Sequence, residues 1–180
     1  QLSAIQLEAL RHASLPGGGP GRGDSQRTNF VLHEFEAELV PPMAGPSSRT
    51  RESSETEVSR LRLLTKSTRI RFKSAHATFE QAKFSAAGAI DGDLQTAWAI
   101  APAFDRSHSA VFVLEEPLDV AEGSTLKVRM IQNFGSDRVI GCFRLSAVFG
   151  SPDSVIAPLV AKSKVSGKAL ATGSSATQLG

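Results

Sequence analysis

Apolar and polar residues alternate with a period of two along much of the chain, and the alternating runs end at glycine, proline or short polar clusters. Residues two apart share one face of a strand, so this pattern predicts half-buried β-strands. Over Gln1–Leu10, Ile5, Leu7 and Ala9 alternate with Gln6 and Glu8. Leu, Gln, Glu and Ala also favour a helix; the glycine-rich stretch that follows favours the strand. From Asn29 to Val40, one face carries Val31, Phe35, Ala37 and Leu39, and the other carries Phe30 and Leu32, then Glu34, Glu36 and Glu38. Pro41-Pro42 stops this run. Arg69, Arg71 and Lys73 alternate with Ile70 and Phe72 in a half-exposed strand. Ala110–Leu114 is apolar throughout and suits a buried one. Leu126, Val128 and Met130 alternate with Lys127 and Arg129, and Ile140–Phe149 places Phe143, Leu145, Ala147 and Phe149 on one face. Gly123 and Gly135-Ser136-Asp137 supply turns. Short strands, frequent turns and little helical periodicity predict an all-β sandwich.

The stretches between these runs set the organisation. Pro16–Asp24 is a glycine-rich surface loop without the Gly-Lys-Ser/Thr ending of a phosphate-binding loop. Its Arg22-Gly23-Asp24 is too short a motif to carry an adhesion reading. Residues 44–66 turn to Ser, Thr, Arg and Glu, as a variable insertion or a short helix over Glu55–Leu64 with Val58, Leu61 and Leu64 on one stripe. Residues 151–180 are small, basic and free of aromatics, as in a linker or tail, with an apolar patch at Val155–Val160 that can dock. One domain over 1–150 is therefore expected.

Composition narrows the function classes. The chain has 180 residues, 41% of them hydrophobic, and a formal net charge of +2. The charges are interspersed, so no nucleic-acid partner is expected. No apolar run approaches the ~20 residues of a membrane helix. The chain opens on Gln1 rather than Met, as an excised module would. Cys142 is the single cysteine and is read as a packed, inert thiol. His12, His33, His76 and His108 are scattered, with no metal-ligand spacing among them. Hydrolase, metalloprotease, redox and Walker motifs are absent. An enzyme is not expected.

One stretch carries specific chemistry: Ala86-Ala87-Gly88-Ala89-Ile90-Asp91-Gly92-Asp93-Leu94-Gln95-Thr96-Ala97-Trp98. An Asp-Gly turn points backbone carbonyls inward. With the Asp91 carboxylate and the Thr96 hydroxyl they make an all-oxygen set that suits a hard cation such as Ca²⁺. The same groups also serve a plain turn in which Asp and Thr only satisfy the backbone. Trp98 is expected to fold beneath the turn as a buried clamp.

The spacing Asp-Gly-x-x-x-Thr-x-Trp after Ala-Ile resembles the signature turn of the discoidin or galactose-binding-like β-sandwich, a fold shared by many carbohydrate-binding modules. Five further runs resemble such domains in large exported bacterial proteins that also carry cytochrome-like domains. They are Leu15–Arg22, Asn29–Glu36, Ala99–Pro102, Gln132–Ser136 and Ile140–Ser146. The resemblance covers most of 1–150 and implies a galactose-binding-like jelly-roll sandwich. It implies non-catalytic carbohydrate binding in an extracytoplasmic, monomeric module, beside neighbouring domains of a parent protein. The alternative is a structural docking module between those domains. In the family a late Ala-Glu step completes the calcium set. Here that place falls on Gly141-Cys142, and a thiol does not suit a hard cation. Leu32-His33-Glu34-Phe35-Glu36-Ala37 resembles the completing strand instead. The implied calcium ligands are Asp91, Glu34 and Thr96 with the carbonyls of Gly88, Asp93 and His33; otherwise Glu34 faces solvent. Ligand loops of related folds cluster at one end of the sandwich. The candidates there are Phe104, Arg106 and His108 after Trp98, and Gln132, Asn133 and Arg138, with Phe134 beside them, after Ile131. Each also has a plain structural reading: core plug, surface charge or strand-end cap.

Overall fold

The computed structural model of the protein describes residues 1–42 and 67–161. The helix considered over Glu55–Leu64, and residues 162–180, lie outside the described residues. Among the described residues nine strands follow in order: β1 Leu2–Ala9, β2 Val31–Leu32, β3 Glu34–Val40, β4 Thr68–Ile70, β5 Phe72–Ala77, β6 Trp98–Ala99, β7 His108–Leu118, β8 Thr125–Ile131 and β9 Phe143–Phe149. One sheet runs β5-β7-β1-β9, a second runs β4-β3-β8, and β2 and β6 form a short ribbon. Every pairing is antiparallel. The architecture is all-β and sandwich-like.

The core lies where the alternating faces meet. Ile5 and Leu7 of β1 and Phe112 and Leu114 of β7 join Phe35 and Ala37 of β3 and Ile70 of β4 in one cluster, which Phe30, Leu32, Trp98 and Ile100 continue. Phe35 and Phe112 stack across the two sheets with centroids 4.2 Å apart and an interplanar angle of 12°. Each such fully buried side chain contributes roughly 1.5–3 kcal/mol.

Two runs expected as single strands divide. Asn29–Val40 breaks at His33: Leu32 pairs with Trp98, whereas Glu34 pairs with Ile131 in the second sheet. The run around Arg69–Lys73 breaks at Arg71: Ile70 pairs with Ala37, whereas Phe72 pairs with Leu114. Arg71 thus passes the chain directly from one sheet to the other. Alternation continues through both breaks, so it does not mark them.

The glycine-rich loop is packed rather than open. A Cβ on Gly19 would lie 1.9 Å from Thr28 Oγ1. Backbone bonds join the loop to residues 139–141: Arg22 N–H to the Val139 carbonyl at 2.9 Å, and Gly141 N–H to the Pro20 carbonyl at 2.8 Å. After β9, residues 153–161 form a helix, α1. Leu159, with Val155 and Ile156, covers Ala4, Val111, Val113 and Val148 on the outer face of the four-stranded sheet. No helix among the described residues is long and apolar enough to cross a membrane.

Candidate functional site

The turn over Asp91–Thr96, the anchor turn of the stretch that ends at Trp98, is closed by its own side chains. Asp93 N–H donates to Asp91 Oδ1 at 2.9 Å, and Gln95 N–H to Asp93 Oδ1 at 2.9 Å. Gly92 takes the φ of +80° that such a turn requires. Around Thr96 Oγ1 lie the Gly88 carbonyl at 3.0 Å, the Asp93 carbonyl at 2.8 Å, and Asp91 Oδ1 and Oδ2 at 2.9 and 2.8 Å. A hydroxyl has one hydrogen to give. One of the four oxygens can receive it, and the others converge without a donor from that group. This donor set is hard, oxygenic and anionic.

Glu34, the first residue of β3, reaches the same turn. Its Oε1 accepts from Gly92 N–H at 2.8 Å, and the residue is 7% exposed. Burial pushes the Glu34 carboxyl above its ordinary range, and Asp91 and Glu36 add to the push by repulsion. The Gly92 hydrogen bond and Arg69 oppose it. At His33, whose carbonyl is the expected ligand, the backbone N–H donates to the Ile131 carbonyl at 2.8 Å and Nδ1 accepts from Asn133 N–H at 3.2 Å; neither bond engages that carbonyl. No group of three or more His, Cys, Asp or Glu side chains fit for a metal occurs among the described residues. The turn combines two carboxylates with a hydroxyl and carbonyls, which fits calcium rather than zinc.

The two candidate ligand loops lie on either side of the glycine-rich loop. Arg11 holds one of them, with Nη1 on the Asp105 carbonyl at 2.7 Å and Nε on the Gly18 carbonyl at 2.9 Å. Arg106 is paired with Asp105, Nε to Oδ1 at 2.9 Å, and this pairing lowers the Asp105 carboxyl. Phe104 is half-buried and packs against the core. In the other loop, Gln132 Oε1 accepts from Ile140 N–H at 2.7 Å, which fixes the loop's ends. Asn133 is exposed, Phe134 is 51% exposed, and the Arg138 guanidinium sits 5.4 Å from the Phe134 centroid. His33 stacks against the same ring at 6.5 Å.

His108 turns inward. It is 1% exposed; Nε2 donates to the Ala103 carbonyl at 2.6 Å, and Nδ1 lies 3.4 Å from Thr78 Oγ1. Its two nitrogens are engaged within the protein rather than presented to a ligand. Burial pushes the imidazole below its ordinary 6.5, and the Ala103 contact only partly offsets this. The unfolded chain therefore takes up a proton at 6.5 that the folded chain refuses. Stability is full above 6.5, falls as pH drops toward the lowered folded value, and levels below it. Urea melts at about pH 7.5 and about pH 5.5 should show the loss, and His108→Gln should flatten it. An equal slope in the variant would assign the effect to other groups.

Sequence reasoning missed Arg11, Asn29 and Gln81. The buried Asn29 accepts from Ile100 N–H at 3.1 Å, and Gln81 Oε1 accepts from Ala101 N–H at 3.1 Å. Both fix the loop after Trp98, yet they stand far from it along the chain and no local motif marks them. No family model matches the chain, and neither a curated protein nor a solved structure matches it.

Proposed function

We propose that the chain is a non-catalytic carbohydrate-binding module of a larger exported protein, built on a galactose-binding-like jelly roll with a structural calcium at the anchor turn. The carrying observation is the exposed Phe134, with Arg138 over its ring and Asn133 beside it. A sugar would rest its C–H groups on the part of the Phe134 ring left exposed by Arg138 and His33, while the planar Asn133 amide and Arg138 guanidinium bind its hydroxyls. Arg106 and Phe104, across the glycine-rich loop, extend the same end of the sandwich. In this reading Asp91, Glu34, Thr96 and the carbonyls of Gly88, Asp93 and His33 hold calcium. The ion supplies cross-linking of the turn to β3, not chemistry.

Affinity electrophoresis against a panel of polysaccharides tests the reading. At least one should retard the protein. Phe134→Ala should weaken binding roughly tenfold or more, and Asn133→Ala by less, as for a central aromatic anchor and its rim. Retardation by no polysaccharide, or an unaffected Phe134→Ala, would leave the interdomain docking reading in its place. That second reading draws on the apolar exposure of Phe143 and Phe149, at 47% and 59%.

A further inference from the structure

We propose that the free edge of β9 pairs with the same edge of a second copy of this chain, joining two four-stranded sheets across a twofold axis. This goes beyond carbohydrate binding and replaces the monomer expected from the sequence. The four-stranded sheet ends at β5 and β9, and the three-stranded sheet at β4 and β8. Sheet edges offer unpaired N–H and C=O groups, and exposed Lys or Arg on an edge opposes pairing. Lys73 on β5 and Lys127 on β8 are such guards, while Arg69 on β4 is itself paired, with Glu36 at 3.1 Å. β9 has one charged residue, Arg144, and Glu8 of β1 already holds it, with Nη2 2.8 Å from Oε1. Among the described residues, no strand pairs the outer side of β9.

The strand itself selects a second copy. Phe143-Arg144-Leu145-Ser146-Ala147-Val148-Phe149 has a near-mirrored apolar pattern about Ser146. An antiparallel pair about a twofold at Ser146 sets Phe143 opposite Phe149 of the second copy, twice, and Leu145 opposite Ala147. Both phenylalanines share the strand face of Leu145, which packs on the core, so the aromatic pairs would continue the core surface from one copy to the next. Arg144 falls opposite Val148, so no like charges meet. A strand of another protein would lack this match.

Sedimentation velocity over a wide concentration range should show a reversible dimer. Phe149→Lys should weaken it roughly tenfold or more, whereas Lys73→Glu, on β5 at the opposite edge of the same sheet, should not change it. Residue 146 would face itself, with Cα atoms about 4.5–5.5 Å apart, within the roughly 4.4–6.8 Å a disulfide spans. In a Cys142→Ser background, Ser146→Cys should therefore cross-link under mild oxidation and Lys127→Cys should not. A wild-type protein monomeric at every concentration overturns the proposal and leaves the edge to a different partner. So does a dimer that survives Phe149→Lys, or one in which Ser146→Cys fails to cross-link.

Discussion

Replacing Trp98 by alanine is expected to lower stability by about 3–5 kcal/mol. The indole is fully buried and meets Phe30 edge-on at 4.9 Å and 76°. Its Nε1–H donates to the Phe79 carbonyl at 3.0 Å. Truncation removes the contact area, opens a cavity beside Phe30 and leaves that carbonyl without its donor. Trp98 also pairs with Leu32, so the short β2–β6 ribbon loses its anchor. Trp98→Phe keeps most of the ring and loses the donor, at about 1–3 kcal/mol. Urea unfolding should show a lower midpoint for both variants, in that order, with an unchanged slope. A Trp98→Ala protein that melts like the parent would refute the clamp.

If the proposed calcium site holds, calcium is expected to give the second large effect. With free calcium at about a hundred times its dissociation constant, stabilisation should reach about 2.7 kcal/mol. For a chain of this size that raises the melting temperature by roughly 5–11 °C. Glu34→Gln keeps an oxygen for Gly92 N–H and removes the charge. Without metal, the raised carboxyl of Glu34 gives stability that is present below its ordinary value of 4.5 and is lost as pH rises through the folded value. Near neutral pH the charge is therefore a cost. In chelator, Glu34→Gln should match or exceed the parent; in calcium, it should lose most of the parent's gain. Calcium binding should strengthen as pH rises through the Glu34 transition, because the proton must leave first. Identical melts with calcium and with chelator would end the metal reading.

The strands were legible because one buried face imposes a period of two. That rule is local, and what it could not carry was non-local. Partner choice at His33 and Arg71 depends on which sheet lies alongside, and the alternation is the same on either side of each break. Phe143 and Phe149 read as members of a buried face with Leu145. Their exposure arises because they stand at the ends of an edge strand, a coverage that no residue nearby encodes. Within the turn, Asp91, Gly92 and Thr96 were legible from spacing, since all lie within a few residues. Glu34 meets Gly92 across 58 residues, and only the family resemblance brought it to the turn. Lying between Ser107 and Ser109, His108 had the local character of a polar loop; its burial comes from Ala103 and Thr78.

The position of β1 between β7 and β9 has a consequence during synthesis. Leu2, Ala4, Ile5 and Leu7 are buried in the fold, yet β1 pairs only with strands that begin at His108 and Phe143. A ribosome adds about 5–20 residues per second, so this apolar strand emerges roughly 5–20 s before its first partner. Over that interval β3 and β4 can pair, but β8 emerges only after β7, so the three-stranded sheet is completed later still, and the larger sheet has no centre until the chain returns. Such long-range pairing slows folding, and it leaves Leu2–Ala9 to chaperones or to aggregation in the meantime.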